Sequence, residues 1–127
     1  MIALDASVLI AHLYPGDAHH TAASDFLRRT ASEALLVHTL TLAEVLVGGV
    51  RVSRGPQMLA DLHAIGVQLA RHPDDEPLRL ANLRATTGLR LPDCCALDTA
   101  LSNGAMVATF DQALAGAARQ LNVAVLP

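Results

Sequence analysis

Four acidic residues lie where an alternating pattern of strands and helices would place reactive groups. Asp5 ends a short apolar run, and Asp111 follows another such run. Glu44 and Asp93 lie near the beginnings of predicted helices. Carboxylates that come together need a counter-charge, and hard oxygen ligands in this number suit Mg²⁺ or Mn²⁺ with open positions for phosphate oxygens. The four residues therefore indicate metal-assisted phosphodiester chemistry, provided that the fold brings them together.

The elements that must position these acids alternate regularly along the chain. Short apolar runs predict five strands, at residues 2–4, 34–38, 67–70, 105–109 and 123–126. Helical spacing and end signals predict helices at residues 7–14, 19–29, 41–49, 55–66, 74–85, 92–103 and 111–122. Such alternation requires crossover connections. We therefore expect an α/β fold in one domain spanning residues 1–127, with a mostly parallel five-stranded sheet and helices on both faces.

This architecture predicts that the acids meet at one edge of the sheet. Asp5 and Asp111 follow strands, so both emerge where parallel strands end. Helices that follow strands begin at that same edge, which places Glu44 and Asp93 within reach although they are distant in sequence.

Every acid except Asp5 also has an ordinary explanation at a helix end. Thr41 and Glu44 have the spacing of a capping box, in which the glutamate satisfies a backbone N–H. Asp93 and Asp111 precede helical patterns, and aspartate is a favoured N-cap residue. Asp5 lies in a strongly apolar segment, where a lone carboxylate needs partners. Independent caps have no reason to gather beside it, so the joint arrangement favours a site.

The charge pattern excludes several classes of function. The formal charge is -3 at pH 7, so the chain has no general attraction for polyanions. All its basic residues are arginine, which excludes a Walker A loop, a Schiff base and the lysine of a receiver domain. A phosphotransferase of the haloacid dehalogenase type needs Asp-x-Asp after the first strand, whereas Ser7 follows Asp5 by two residues. The candidates for phosphate contacts are Arg51, Arg54, Arg84 and Arg90.

Composition indicates a compact cytoplasmic protein without a membrane segment. Apolar residues form 52% of the chain, and no uninterrupted apolar run of about 18 residues occurs. Cys94 and Cys95 are adjacent, which disfavours an ordinary disulfide, and we expect them to pack as small hydrophobes. Asp98 faces another side of its helix from Asp93. We expect it to meet solvent, a dimer partner or an arginine.

Four stretches resemble the acidic motifs of the PIN-domain ribonucleases, specifically the VapC-type toxins of bacterial toxin–antitoxin pairs. They are MIALDASVLIAHL, TLAEVLVG, LPDCCALDTA and ATFDQAL, and together they extend over nearly the whole chain. Carried over by position, Asp5, Glu44, Asp93 and Asp111 match the family's catalytic acids. The resemblance implies that Asp5, Asp93 and Asp111 hold the metal, with Glu44 positioning a water or completing the ligand set. Ser7 and Thr109 match hydroxyl residues near the metal.

The resemblance also implies a function and partners. The expected activity is Mg²⁺- or Mn²⁺-dependent endoribonucleolytic cleavage of cellular RNA (tRNA, rRNA or mRNA) by a metal-activated water. The expected partners are a second copy of the chain and a cognate VapB-type antitoxin, and an arginine of the antitoxin is expected among the acids. The alternative is a non-catalytic protein-interaction module that keeps the fold and its helix caps.

Overall fold

The computed structural model describes all residues from 1 to 127, and every predicted strand and helix is present. The strands are β1 (Ile2–Leu4), β2 (Leu35–Val37), β3 (Val67–Leu69), β4 (Met106–Ala108) and β5 (Val125–Leu126). The helices are α1 (Ala6–Leu13), α2 (His20–Arg29), α3 (Thr39–Arg51), α4 (Gly55–Ala64), α5 (Glu76–Thr87), α6 (Leu91–Asn103) and α7 (Gln112–Gln120). None of the seven helices combines the length and apolar character needed to cross a membrane.

The five strands form one sheet in the order β3-β2-β1-β4-β5, and every neighbouring pair is parallel. The predicted α/β class is therefore confirmed. β1 lies at the centre, where Ile2 is opposite Leu35 on one side and Met106 on the other. All three β1 residues are buried, because helices cover both faces, and this explains why the strand is an uninterrupted apolar run.

Alternate residues of β1 point into two separate hydrophobic cores. Ile2 and Leu4 belong to a core shared with α1, α2, α3 and α4, whereas Ala3 belongs to the core under α6 and α7. Leu9 and Leu97 are completely buried, one in each core. Burying such a leucine side chain stabilises the fold by roughly 1.5–3 kcal/mol relative to exposure. The two cores pack against the sheet and so fix the position of the edge where its strands end.

Three helix beginnings decide how the acids are presented, and two of them differ from prediction. α3 begins at Thr39, because the His38 side chain accepts a hydrogen bond from the Leu40 N–H and caps the helix. The capping-box interpretation of Glu44 is therefore wrong. α6 begins at Leu91, with Asp93 in its first turn, so the N-cap interpretation of Asp93 is also wrong. Asp111 is the N-cap of α7, as the sequence predicted.

Helices α5 and α6 both end at a glycine. Gly88 ends α5 and Gly104 ends α6, and both have the left-handed backbone conformation, with φ of 73° and 60°. Glycine adopts this conformation without the Cβ clash that other residues suffer. The short turn after Gly88 brings the chain directly into α6, which carries Asp93 to the edge of the sheet.

Candidate active site at the carboxyl edge of the sheet

The four predicted acids lie around one small cavity at the edge where β1 and β4 end. The cavity has a volume of about 190 Å³, and its lining residues are Asp5, Ala6, Ser7, Ile10, Glu44, Arg90, Asp93 and Asp111. A larger cavity of about 480 Å³ lies beside His12 and Arg28, but no group of carboxylates lines it. The concentration of acidic groups, rather than cavity size, therefore identifies the candidate site.

Two hydroxyl groups hold the Asp5 carboxylate in place. Ser7 Oγ and Thr109 Oγ1 each donate a hydrogen bond of 2.8 Å to Asp5 Oδ2. Each hydroxyl oxygen in turn accepts a backbone N–H, from Phe110 at 3.0 Å and from Asp111 at 2.9 Å respectively. These four hydrogen bonds tie the end of β1 to the end of β4. No protein group donates to Asp5 Oδ1, which remains free to bind a cation.

The pKa of Asp93 reflects the crowding of negative charge in the cavity. Burial raises the pKa of its carboxyl group, and the charges of Asp5 and Asp111 raise it further. Arg90 opposes this shift, but its Nε lies 3.4 Å from Asp93 Oδ2 and its side chain is largely exposed. The single arginine is therefore a weak counter-charge for the group.

Asp111 and Glu44 are held differently from Asp5. Asp111 Oδ1 accepts a hydrogen bond of 2.8 Å from the Leu114 N–H, so its carboxylate also caps α7. Glu44 lies in the second turn of α3, is exposed, and has no hydrogen-bond or ion-pair partner within the chain. Glu44 is the one acid of the four whose side chain makes no hydrogen bond or ion pair.

This set of donors fits a divalent hard cation. The cavity offers carboxylate oxygens from the residue after β1, from α3, from α6 and from the N-cap of α7, and it contains no histidine or cysteine. Oxygen-only ligand sets of this kind suit Mg²⁺ and Mn²⁺ better than softer metals. A bound cation would supply the positive charge that Arg90 provides only in part.

Comparison with known proteins identifies the family. The sequence matches the PIN domain family over residues 2–120. The chain belongs to the PIN domain family. No curated protein sequence is similar enough to match it.

Two solved structures show the same fold as this PIN domain. One is described as a toxin-antitoxin complex from Klebsiella pneumoniae, with a TM-score of 0.74 and 23% sequence identity over 91% of this chain and 90% of that chain. The other is VapBC2 from Rickettsia felis bound to a DNA fragment from their promoter, with a TM-score of 0.71 and 16% identity over 98% of this chain and 97% of that chain. At these identities the similarity concerns the fold, which does not by itself define an activity.

The four arginines considered for substrate contacts occupy different places in this PIN domain. Only Arg90 lines the acidic cavity. Arg84 donates to the carbonyls of Gly88 and Leu89 at 2.9 and 2.7 Å, so its guanidinium is engaged at the end of α5. Arg51 and Arg54 are exposed around the end of α3 and have no ion pair. Of the four, Arg90 is therefore the one that lies beside the acids.

Asp98 and the two cysteines lie outside the cavity. Asp98 is buried and accepts two hydrogen bonds from Arg79, at 2.9 and 3.0 Å, so of the three surroundings expected for it the structure shows the arginine. Cys94 and Cys95 are free and buried, which confirms core packing. Burial raises the pKa of Cys95 to about 11, so this thiol is protonated and unreactive at neutral pH.

Two arrangements were not predicted from the sequence. The His19 ring stacks on Phe110, with ring centroids 4.3 Å apart, beside the chain that leads to Asp111. His38, His72 and Glu76 form a compact cluster near the ends of β2 and β3. Their sequence spacing matches no metal or catalytic motif, and only the tertiary structure brings them together.

Proposed function

We propose that this PIN domain is a Mg²⁺- or Mn²⁺-dependent endoribonuclease and the toxin of a VapC-type toxin–antitoxin pair, acting on cellular RNA in the cytoplasm. The observation that carries the proposal is the convergence of Asp5, Glu44, Asp93 and Asp111 on one oxygen-lined cavity. Family membership supports it, as does the shared fold with proteins from toxin–antitoxin complexes.

The residues of the cavity take different parts in this proposal. Asp5, Asp93 and Asp111 hold the cation, and Ser7 and Thr109 keep Asp5 oriented through their hydrogen bonds to Oδ2. When bound, the cation would neutralise charge on the phosphate and acidify an attacking water.

Two further residues complete the proposed machinery. Glu44 has no partner in the chain, so its carboxylate is available to orient a water and accept its proton. Arg90 extends from the rim of the cavity and contacts the phosphate backbone of the RNA.

The proposed protein partners are a cognate VapB-type antitoxin and a second copy of the chain. α3 exposes Leu40, Val47 and Val50 along one side, with exposed fractions of 59%, 44% and 64%. Such an apolar stripe on one helix is typical of a surface that another protein covers. An arginine from the antitoxin would be attracted into the acidic cavity, where it would compete with the cation.

The activity is tested with purified protein, a structured RNA and Mn²⁺, with and without a chelator. We expect cleavage by the wild type and by Asp61→Asn, a matched change at an exposed acid of α4, and none by Asp5→Asn or Asp93→Asn. Equal cleavage by all variants would indicate a contaminating nuclease. If none cleaves and none binds Mn²⁺, the chain is the non-catalytic interaction module instead.

The toxin role needs a separate experiment in cells. Expression of the wild type should arrest growth, and co-expression of the cognate antitoxin should restore it. Asp93→Asn should leave growth unaffected although the protein accumulates. Growth arrest by Asp93→Asn equal to that by the wild type would contradict toxicity through this site.

A further inference from the structure

A second group of side chains of types that are able to bind a metal lies on the other half of the same sheet edge. His38 follows β2, His72 follows β3, and Glu76 is the first residue of α5. His38 Nε2 lies 2.5 Å from Glu76 Oε1, and His72 Nδ1 lies 2.6 Å from Glu76 Oε2. One ligand atom from each residue lies within 4.8 Å of the others. None of the three lines the acidic cavity.

One side of the cluster is buried, and the other side is open to solvent. His38 and Glu76 are buried, at 5% and 8% exposure, whereas His72 is exposed. His72 and Glu76 also line a separate cavity of about 450 Å³, together with Pro73, Asp74, Pro77 and Leu80. A cation could therefore enter from solvent on the His72 side and be held against the buried pair.

We propose that His38, His72 and Glu76 form a binding site for a zinc-like divalent cation, separate from the acidic cavity. Two imidazole nitrogens and one carboxylate oxygen are a donor set that suits Zn²⁺, Co²⁺ or Ni²⁺ rather than Mg²⁺. Three protein ligands leave a further position for water, which the accessible side provides. This site does not depend on the proposed nuclease activity.

Hydrogen bonds around the cluster fix the ring protons in the metal-free protein. The Leu40 N–H donates to His38 Nδ1, so a neutral His38 carries its proton on Nε2 and donates it to Glu76. His72 Nδ1 donates to the other carboxylate oxygen, and its Nε2 lies 2.8 Å from Thr39 Oγ1. Both carboxylate oxygens therefore accept an N–H where the cation would bind.

If a cation binds His38 Nε2 and His72 Nδ1, the proton of each ring must move to the other ring nitrogen. For His72 the relocated proton on Nε2 faces Thr39 Oγ1, which can accept it and orient the ring as an outer partner of the ligand. For His38 the relocated proton on Nδ1 would face the Leu40 N–H, so α3 must lose this capping hydrogen bond. Binding at the cluster therefore predicts a change at the Leu40 amide, because this N–H loses its acceptor on His38.

The test is a titration of metal-free protein with Co²⁺, followed by its visible absorption and by amide NMR. We expect Co²⁺ to bind at the cluster and to shift the Leu40 amide, in addition to any Co²⁺ that the acidic cavity takes up. Because even outer partners of a metal site change affinity by roughly 10–100-fold, loss of a ligand in His72→Gln or Glu76→Gln should weaken binding by at least about tenfold. His72 is exposed, so His72→Gln should fold normally.

Two control variants separate this site from the alternatives. His63→Gln removes an exposed histidine outside the cluster, and Asp93→Asn removes an acid of the other cavity. Both should keep the Co²⁺ spectrum and the Leu40 shift. If the wild type binds no Co²⁺, if His72→Gln binds it equally well, or if only Asp93→Asn abolishes binding, the cluster is a hydrogen-bonded network and not a cation site.

Discussion

The acidic cavity and the histidine cluster lie at the same edge of the sheet, yet their carboxylates differ in how many partners they have. In the cavity, four carboxylates lie together, and one of them, Asp93, makes a single long contact with Arg90. In the cluster, a single carboxylate, Glu76, accepts an N–H from His38 on one oxygen and from His72 on the other. The first region leaves negative charge largely unpaired, whereas the second provides an N–H donor for each oxygen of its carboxylate.

The two regions consequently shift carboxyl pKa values in opposite directions. Burial and neighbouring acids raise the pKa of Asp93. Burial alone would raise the pKa of Glu76 as well, but hydrogen bonds from His38 and His72 hold it below its ordinary value. An ionised carboxylate is therefore destabilising at Asp93 in the cavity and stabilising at Glu76 in the cluster. Binding sites are often places where the fold tolerates such strain.

The largest expected effect concerns Glu44, the acid of the cavity without any partner. Glu44→Gln should lower RNA cleavage by about a hundredfold or more, because orientation and proton acceptance by this group contribute 10²–10⁴-fold to such reactions. The free energy of unfolding of Glu44→Gln should stay within about 0.5 kcal/mol of that of the wild type, as for substitutions at most exposed positions. Single-turnover cleavage and urea unfolding measure the two quantities. Wild-type cleavage by Glu44→Gln would exclude it from the reaction.

The next effect concerns the cluster. Glu76→Ala should lower the free energy of unfolding of the metal-free protein by about 2–3 kcal/mol, since it leaves the N–H groups of His38 and His72 without their charged acceptor. Urea unfolding measures this loss. A change below about 0.5 kcal/mol, the size typical of exposed positions, would show that the network contributes little to stability.

A smaller effect is expected where a hydroxyl orients an acid. Thr109→Ala removes the 2.8 Å hydrogen bond to Asp5 and should reduce Mn²⁺ affinity and cleavage by roughly 10–100-fold, as for other outer partners of metal ligands. Thr109→Ser keeps the hydroxyl and should retain most of both. The comparison is made by Mn²⁺ titration and RNA cleavage at saturating Mn²⁺. Equal losses in the two variants would assign the effect to the methyl group rather than to the hydrogen bond.

The opposite pKa shifts predict opposite pH dependences of stability in chelator. The raised pKa of Asp93 means that its ionised form destabilises the fold, with a penalty that grows as pH rises from about 4, the ordinary carboxyl value. Asp93→Asn should therefore stabilise the protein at neutral pH and have little effect in acid.

The lowered pKa of Glu76 has the reverse sign. Its contribution to stability is complete above about pH 4.3, the ordinary glutamate value, and is lost as pH falls through the lower pKa of the folded state. Glu76→Gln should therefore destabilise the protein most at neutral pH. Urea unfolding from neutral to acidic pH tests both variants, and parallel curves for the two would contradict the contrast between the regions.

The smallest effects come from two threonines of α3. Thr39→Val removes the contact of Thr39 Oγ1 with His72 and should lower the free energy of unfolding by about 0.5 kcal/mol. Thr41 Oγ1 is buried without a hydrogen-bond partner, so Thr41→Val should instead raise stability by up to about 1 kcal/mol. Thermal unfolding of the two variants shows whether each substitution raises or lowers the stability. Destabilisation by Thr41→Val would mean that its hydroxyl is paired, for example by a bound water.

Prediction from the sequence succeeded where the signal is local. The apolar run before Asp5, the helical spacing before Gly88 and the stop at Gly104 identify elements from neighbouring residues alone. It failed at the start of α3, where His38 rather than Thr41 provides the cap. Histidine is not among the favoured N-cap residues, and its ring reaches Leu40 because Glu76 holds its other nitrogen.

The sequence by itself determined the order of strands and helices, and hence that Asp5, Glu44, Asp93 and Asp111 would come near one edge. Periodicity and end signals depend on residues within a few turns, so they can be read without knowing the fold. Only the tertiary structure decided which oxygens are free, that Asp98 pairs with Arg79, and that His38 meets Glu76. Such contacts join residues from separate elements, and their geometry depends on how helices pack across the sheet.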